Sequence, residues 1–241
     1  MFTGIVETAG EVVGVEETAD GRRLAIAAPG LSELYHGQSI SVSGVCLTVE
    51  AYGDDVRVAD SGPEVGAVGD GNDGTGDGTG DDGTGDDGTG DDGNDDTDGG
   101  VFEVFLASET VAKTYLGSLG VGDVVNVERA MPADGRFDGH LVQGHVDTVT
   151  TVEAIESVGE DWRFTFALPD DQARYVVQKG SVTLDGISLT VADRREDAFD
   201  VAIIPTTYDL TTLSEKDPGD PVHLEVDVIA KYVEGMVDGY V

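Results

Sequence analysis

Along most of this chain apolar and polar residues alternate with a period of two. RLAIAAP (23–29), SISVSGV (39–45), CLTVEAY (46–52), VFEVFLA (101–107) and VVNVERA (124–130) alternate or run β-branched, with Gly and Asp turns between them. WRFTFALP (162–169), SVTLDGI (181–187), SLTVADR (188–194), FDVAIIP (199–205) and VHLEVDV (222–228) repeat the pattern further on. Five or six short strands in each half predict a small antiparallel barrel or sandwich, built twice. SELYHG (32–37), TVAKTYLGSL (110–119), DDQARYVVQKG (170–180) and YDLTTLSEK (208–216) read as short helices between strands. The period changes only at the end of the chain. From Val228, Ile229, Tyr232, Val233, Met236, Val237 and Tyr240 fall on one helical face. That face has two candidate partners, the chain's own barrel and another subunit.

The two halves share words as well as rhythm. GVCLTV (44–49) matches GISLTV (186–191) at an offset of 142, pairing Cys46 with Ser188 and, just upstream, Ser43 with Asp185. MFTGIVE (1–7) matches LVQGHVD (141–147) at an offset of 140, pairing Gly4 with Gly144 and Ile5 with His145. FLASETVAKTYLG (105–117) matches AIIPTTYDLTTLS (202–214), and GDVVNVE (122–128) matches GDPVHLE (219–225), both at an offset of 97. The order of blocks is the same in both halves, which marks an internal duplication. The fall in offset leaves about 45 extra residues in the first half, estimated by aligning the repeats.

Those residues form a Gly/Asp/Thr tract. Residues 62–100 hold 15 of the 35 glycines, 13 acidic residues and no basic one. With no apolar surface to offset its ordering entropy, the tract is expected to be a flexible acidic loop. It resembles calcium-binding Gly/Asp repeats only superficially, because it lacks the spaced apolar residues that build their core.

Net charge is −36, and most of that excess lies outside the tract. Thirteen basic residues against 49 acidic ones argue against nucleic acid as a partner. An acidic surface of this density fits a halophilic source, where salt screens self-repulsion. No apolar run approaches a membrane span, and the opening residues show neither a basic leader nor a long apolar stretch. The single cysteine, Cys46, forms no internal disulfide and offers no zinc-type cluster. A cytoplasmic protein without membrane association is expected.

MFTGIVE, GVCLTV, GDVVNVERA, GHLVQGHVD, KGSVTLDGISLTV and IIPTT, in that order, resemble riboflavin synthase of the two-barrel, alpha-chain type. The resemblance covers the chain except 57–101. It implies an all-β fold of two tandem six-stranded Greek-key barrels and a short C-terminal helix. The corresponding boundaries are 1–138, 139–227 and 228–241. It implies a homotrimer whose active site lies between the N-terminal barrel of one subunit and the C-terminal barrel of its neighbour. The implied reaction is a dismutation of two molecules of 6,7-dimethyl-8-ribityllumazine. A four-carbon unit moves between them to give riboflavin and 5-amino-6-(D-ribitylamino)uracil, with no metal, nucleotide or redox cofactor.

Carried over position by position, the resemblance assigns one pocket to Gly4, Ile5, Val6, Cys46, Leu47, Thr48, Phe105, Leu106, Ala107, Ser108, Glu109 and Thr110. The other takes Gly144, His145, Val146, Lys179, Ser188, Leu189, Thr190, Ile204, Pro205, Thr206, Thr207, Tyr208 and Asp209. Ser39 and Asp185 match further polar positions near the reacting rings. In the implied roles Cys46 donates a hydrogen bond or acts near a ring carbon, and His145 shuttles a proton. Asp185 and Ser188 polarise or deprotonate the substrate of the second barrel, and Phe2 packs at the site mouth. Taken alone, each residue also has a structural reading: Cys46 as a small buried hydrophobe, Asp185 as a turn former before Gly186, Phe2 as core.

Two positions depart from the family pattern. Ser43 stands where Asn is usual, and Thr206 where Glu is usual, while Glu109 keeps the equivalent Glu of the first half. Two other readings follow from the same fold. A lumazine- or flavin-binding carrier would not need Cys46, His145, Asp185 and Ser188 together. A flavoreductase-type barrel should be followed by a nucleotide-binding βαβ module, and the sequence shows none.

Overall fold

The structure, a computed structural model, describes residues 1–57 and 100–238. The acidic tract expected at 62–100 therefore lies outside the described residues apart from Gly100, as does Tyr240 of the terminal helix.

The first half contributes β1 (Thr8–Thr18), β2 (Gly21–Ala28), β3 (Ser39–Val42), β4 (Val45–Tyr52), β5 (Gly100–Ala107) and β6 (Val124–Arg129). The second contributes β7 (Thr148–Val158), β8 (Asp161–Ala167), β9 (Ser181–Leu184), β10 (Ile187–Arg194), β11 (Ala198–Ile203) and β12 (Pro221–Val226). Each set closes into an antiparallel barrel in the same order, β1-β2-β5-β4-β3-β6 and β7-β8-β11-β10-β9-β12. Closure leaves no open edge. Even the irregularities repeat: β1 and β7 shift register at Val12/Gly14 and Val152/Ala154, and β4 and β10 at Val49/Ala51 and Val191/Asp193.

β1 and β7 are the strands that the alternation leaves least visible, since Gly10, Gly14 and three glutamates dilute it in β1 and Glu153 and Glu156 in β7. Of the four short helices expected, two form: α1 (Ser108–Lys113) and α2 (Pro205–Leu210), each followed by a 3₁₀ turn. SELYHG and DDQARYVVQKG are irregular or turn instead. Their backbones pass through left-handed conformations at Glu33, Gly37 and Lys179, which a right-handed helix cannot accommodate.

Strand pleating sends alternate residues inward. Leu24, Ile26, Phe102 and Val104 fill the first barrel, and Phe164, Phe166, Leu184 and Phe199 the second. On β4, Val45, Leu47 and Val49 are buried, while Cys46 is half-buried and Thr48 exposed. On β10 the same holds for Ile187, Leu189 and Val191 against Ser188 and Thr190. The chemistry-bearing residues thus sit on the outer faces of filled barrels.

The barrels meet through the hairpin turns Ser43–Gly44 and Asp185–Gly186. All four residues have positive φ, the geometry of a tight two-residue hairpin. The turns press together so closely that a Cβ on Gly44 would lie 2.7 Å from the Gly186 nitrogen. They mark a local pseudo-two-fold axis between the halves.

The third helix, α3 (Val228–Asp238), rests on the second barrel by polar contacts. Lys231 pairs with Asp147 at 2.7 Å, and Arg174 and Tyr175 both reach Glu234. Its apolar residues Ile229, Tyr232, Val233, Met236 and Val237 stay more than half exposed. Of the two partners open to this face on sequence, the described residues of the chain's own barrels do not cover it. No helix among the described residues is long and apolar enough to cross a membrane.

Candidate active site

The segments that lead into each barrel cross over. Phe2 and Val142 pair as an antiparallel bridge, with amide–carbonyl distances of 2.8 and 3.1 Å. Past that bridge each segment presents its glycine to the opposite barrel. The Ser188 amide donates to the Gly4 carbonyl at 2.8 Å, and the Cys46 amide donates to the Gly144 carbonyl at 2.8 Å. Val6 joins the core of the second barrel, and Val146 packs against the core of the first. The grouping taken from the sequence put Gly4–Val6 with Cys46 and Gly144–Val146 with Ser188. The structure pairs them crosswise, Gly144–Val146 with Cys46 and Gly4–Val6 with Ser188.

Glycine is required at both crossings. Gly4 and Gly144 have φ of 76° and 74°. A Cβ at Gly4 would stand 2.6 Å from Ser188 Cβ, and one at Gly144 would stand 2.7 Å from Cys46 Cβ. Each segment is also pinned by a buried carboxylate of the last strand of its own barrel. Glu128 accepts from the Thr3 and Gly4 amides at 2.7 and 3.0 Å and from the Thr3 hydroxyl at 2.9 Å. Glu225 accepts from the amides of Gln143, Gly144 and His145 at 2.7, 2.9 and 3.0 Å.

The two outer faces then differ in chemistry. On the first, burial raises the pKa of the Cys46 thiol, with the terminal amine and nearby Ser39 working the other way, so a neutral thiol is favoured at neutral pH. His145 follows Gly144 with its side chain exposed. On the second, Ser188 Oγ lies 2.7 Å from His140 Nδ1, and His140 Nε2 lies 3.2 Å from Thr183 Oγ1. Burial pushes the His140 pKa down, so the ring is neutral at neutral pH. With its proton on Nε2, the ring donates to Thr183 and accepts from Ser188.

His140 escaped the sequence reading although the block GHLVQGHVD contains it beside His145. It lies one residue ahead of the repeated block LVQGHVD (141–147), so matching the halves did not reach it. Glu128 and Glu225 were also passed over, although they fall at equivalent places in VNVERA and VHLEVD. That repeat was the available signal.

Asp185 lies elsewhere. It is fully buried between the barrels, where Oδ1 accepts from the His223 amide at 2.8 Å and Oδ2 faces Lys216 Nζ at 3.2 Å. Its carboxylate belongs to the interface beside the turn and does not share the Ser188–His140 cluster. Phe2 is likewise wholly buried, at the crossing of the two leading segments.

The remaining residues flank the two faces. β5 runs beside β4, so Phe105 to Thr110 continue on the Cys46 side, with Leu106 buried and Glu109 exposed and paired to Lys113 at 2.8 Å. β11 runs beside β10, so Ile204 to Asp209 continue on the Ser188 side, with Thr206 exposed. There Tyr208 stacks on Trp162 at 3.8 Å. Lys179, exposed with φ of 68°, donates its amide to the Val191 carbonyl; in the first barrel Gly37 donates the equivalent bond to Val49. A left-handed lysine is strained where glycine would be free.

Comparison with known proteins follows the same division into halves. A lumazine binding domain matches residues 3–67 and again 143–227. Riboflavin synthase of Mycobacterium tuberculosis is 39% identical over 242 residues, 98% of each chain. Riboflavin synthase of Schizosaccharomyces pombe is 34% identical over 100% of this chain and 96% of the relative, and that of Bacillus subtilis 32% over 97% and 88%. Among solved structures, LumP complexed with riboflavin superposes with a TM-score of 0.70 at 20% identity, covering 94% of this chain and 99% of that one. LumP complexed with 6,7-dimethyl-8-(1'-D-ribityl)lumazine gives 0.67 at 19% with the same coverage. Two closed barrels, each matching a lumazine binding domain, define a tandem lumazine-binding protein. The chain belongs to the riboflavin synthase family.

Proposed function

We infer that the protein dismutates two molecules of 6,7-dimethyl-8-ribityllumazine, moving four carbons from one to the other to release riboflavin and 5-amino-6-(D-ribitylamino)uracil. The exchange balances within the two substrates and needs no outside oxidant. The observation that carries the reading is the pair of equivalent outer faces with unequal chemistry, a thiol beside Ser39 on one and a hydroxyl beside a neutral imidazole on the other. Two copies of one molecule must play different parts, and a duplicated site whose equivalent positions differ, Cys46 against Ser188 among them, supplies the difference.

In this reading Gly144–Val146, Cys46–Thr48 and Phe105–Thr110 hold one substrate, while Gly4–Val6, Ser188–Thr190 and Ile204–Asp209 hold the other. Ser188 takes part in proton transfer through His140, and Cys46 donates a hydrogen bond to the substrate on its face, with His145 as a proton shuttle. Main-chain amides and the hydroxyls of Thr48 and Thr190 serve the ribityl chain. Asp185 acts as an interface residue.

The pairing of the two substrates calls for a second subunit, because within one chain Cys46 and Ser188 belong to different barrels. We propose a homotrimer in which the first barrel of one subunit faces the second barrel of its neighbour, with Lys179 reaching across. The uncovered face of α3 supports assembly, since an apolar stripe of this kind is costly to leave in water. Domain limits of 1–138 and 139–227, a cytoplasmic setting and a salt-rich source belong to the same proposal.

Incubating the protein with the lumazine in high salt tests it. Riboflavin should appear without added cofactor. Stable binding with no turnover would instead assign a carrier, the reading nearest in fold. Sedimentation should give three chains per particle, and M236E/Ile229→Glu should dissociate it.

A further inference from the structure

We propose that Glu128 and Glu225 are positioning residues, and that each acts on the pocket of the opposite barrel. The inference rests on the reading of the two outer faces as substrate pockets.

The geometry is the same in both halves. Each carboxylate sits at the equivalent place on the last strand of its barrel, 5% and 3% exposed. Each spends both oxygens on consecutive donors of a leading segment: Glu128 on Thr3 and Gly4, Glu225 on Gln143, Gly144 and His145. Those amides belong to residues around a left-handed glycine, a conformation that is not self-supporting. An anion that accepts two or three main-chain N–H groups in a dry setting holds such a nest firmly. Burial is the largest influence on both carboxyls and raises their pKa values, while the donors offset part of that cost.

The crossing turns this local device into a remote one. Glu225 stands on β12 of the second barrel, yet the segment it holds ends against Cys46 of the first. Glu128 stands on β6 of the first barrel, yet its segment ends against Ser188 of the second. Glu225 therefore sets the position of the Gly144 carbonyl, and with it the strand that carries Cys46 and the start of the His145 side chain. Glu128 sets the Gly4 carbonyl and the strand that carries Ser188.

Double-mutant cycles read this crossing directly. Glu225→Gln and Glu128→Gln keep shape and one acceptor oxygen while removing the charge. Each should lower kcat more than it raises KM, since the groups displaced act on the reacting rings. Glu225→Gln should couple with Cys46→Ser and add independently to Ser188→Ala; Glu128→Gln should do the reverse. Coupled pairs depart from additivity by roughly 2- to 100-fold, and independent pairs agree within about 2-fold. Glu225→Asp and Glu128→Asp, which keep the charge, should restore part of the loss. If each glutamate couples with the residue of its own barrel, or equally with both, the proposal is overturned. If the protein proves to bind without turnover, the same cycles read on riboflavin binding separate this inference from the assignment of the reaction. Melting temperatures of all variants exclude a loss that comes only from unfolding.

Discussion

His223 makes in the second barrel the same two hydrogen bonds across the interface that Asn126 makes in the first. Asn126 Nδ2 donates to the Asp185 carbonyl and its Oδ1 accepts from the Thr212 amide, both at 2.9 Å. His223 Nδ1 meets the Ser43 carbonyl at 2.7 Å, and Nε2 accepts from the Tyr115 amide at 3.1 Å. The carbonyl can only accept, so Nδ1 carries the proton and the ring is neutral. Tyr115 stacks on the ring at 3.9 Å, Lys216 lies over Tyr115, and Asp185 approaches Nδ1 at 3.6 Å.

This bonding gives a stability test. Burial lowers the His223 pKa from 6.5, while nearby Asp185 opposes and Lys216 assists. As pH falls through 6.5 the unfolded chain takes up the proton first, so the contribution of His223 is complete above that value and is lost toward the lower folded value. His223→Asn should keep both hydrogen bonds and remove this term. Urea midpoints between pH 7.5 and about 5.5 should fall more steeply for the native chain than for the variant, over the ordinary titration range of histidine. Parallel slopes would mean that the ring is not the titrating group.

Glycine at the crossings should prove costly to replace. Gly30, at φ of 74° with nothing among the described residues near its missing Cβ, reports backbone strain alone. Gly30→Ala should cost about 1 kcal/mol, and Gly144→Ala or Gly4→Ala clearly more, because contact under 3 Å forces the strands apart. Chemical denaturation measures the difference. Equal costs at all three positions would show that the close approach is not maintained in solution.

At Cys46, Ala should lower kcat by about 100-fold, and Ser should retain more activity by restoring a donor. Because burial raises the thiol pKa, alkylation of the free enzyme should be slow at pH 7 and accelerate only above the ordinary thiol value of 9.0. Fast alkylation at neutral pH would reveal a thiolate and a different role.

For His140, Gln should lower kcat by about 100-fold or more while leaving riboflavin binding nearly intact. The neutral ring is the competent form and its pKa is lowered from 6.5, so the acid limb of the native pH–rate profile should lie below that value. His140→Gln should lack the limb. Its survival in the variant would assign it to another group.

The barrels were legible because duplication repeats an alternating pattern, and two copies of β3, β4, β5 and β6 support one another. β1 and β7 were less so, since glycines in β1 and acidic residues in both interrupt the period while closure pairs them regardless. Site residues such as Cys46 and Ser188 came from the family resemblance, and their equivalent places in the repeated strand agree with it. Their partners did not. A repeat shows that Gly4 and Gly144 are equivalent, but exchange and non-exchange of the leading segments give the same sequence. Asp185 was placed with the chemistry by position in the pattern; the structure buries it against Lys216 and His223, which lie far along the chain. His140 lies just ahead of the repeated block, so comparison of the halves did not reach it.

The product balance tests the assignment most directly. The purified protein, given only 6,7-dimethyl-8-ribityllumazine, should release riboflavin and 5-amino-6-(D-ribitylamino)uracil in equal amounts, together accounting for two molecules consumed per riboflavin formed. Riboflavin without the pyrimidine, or a bound lumazine that is never consumed, would contradict it.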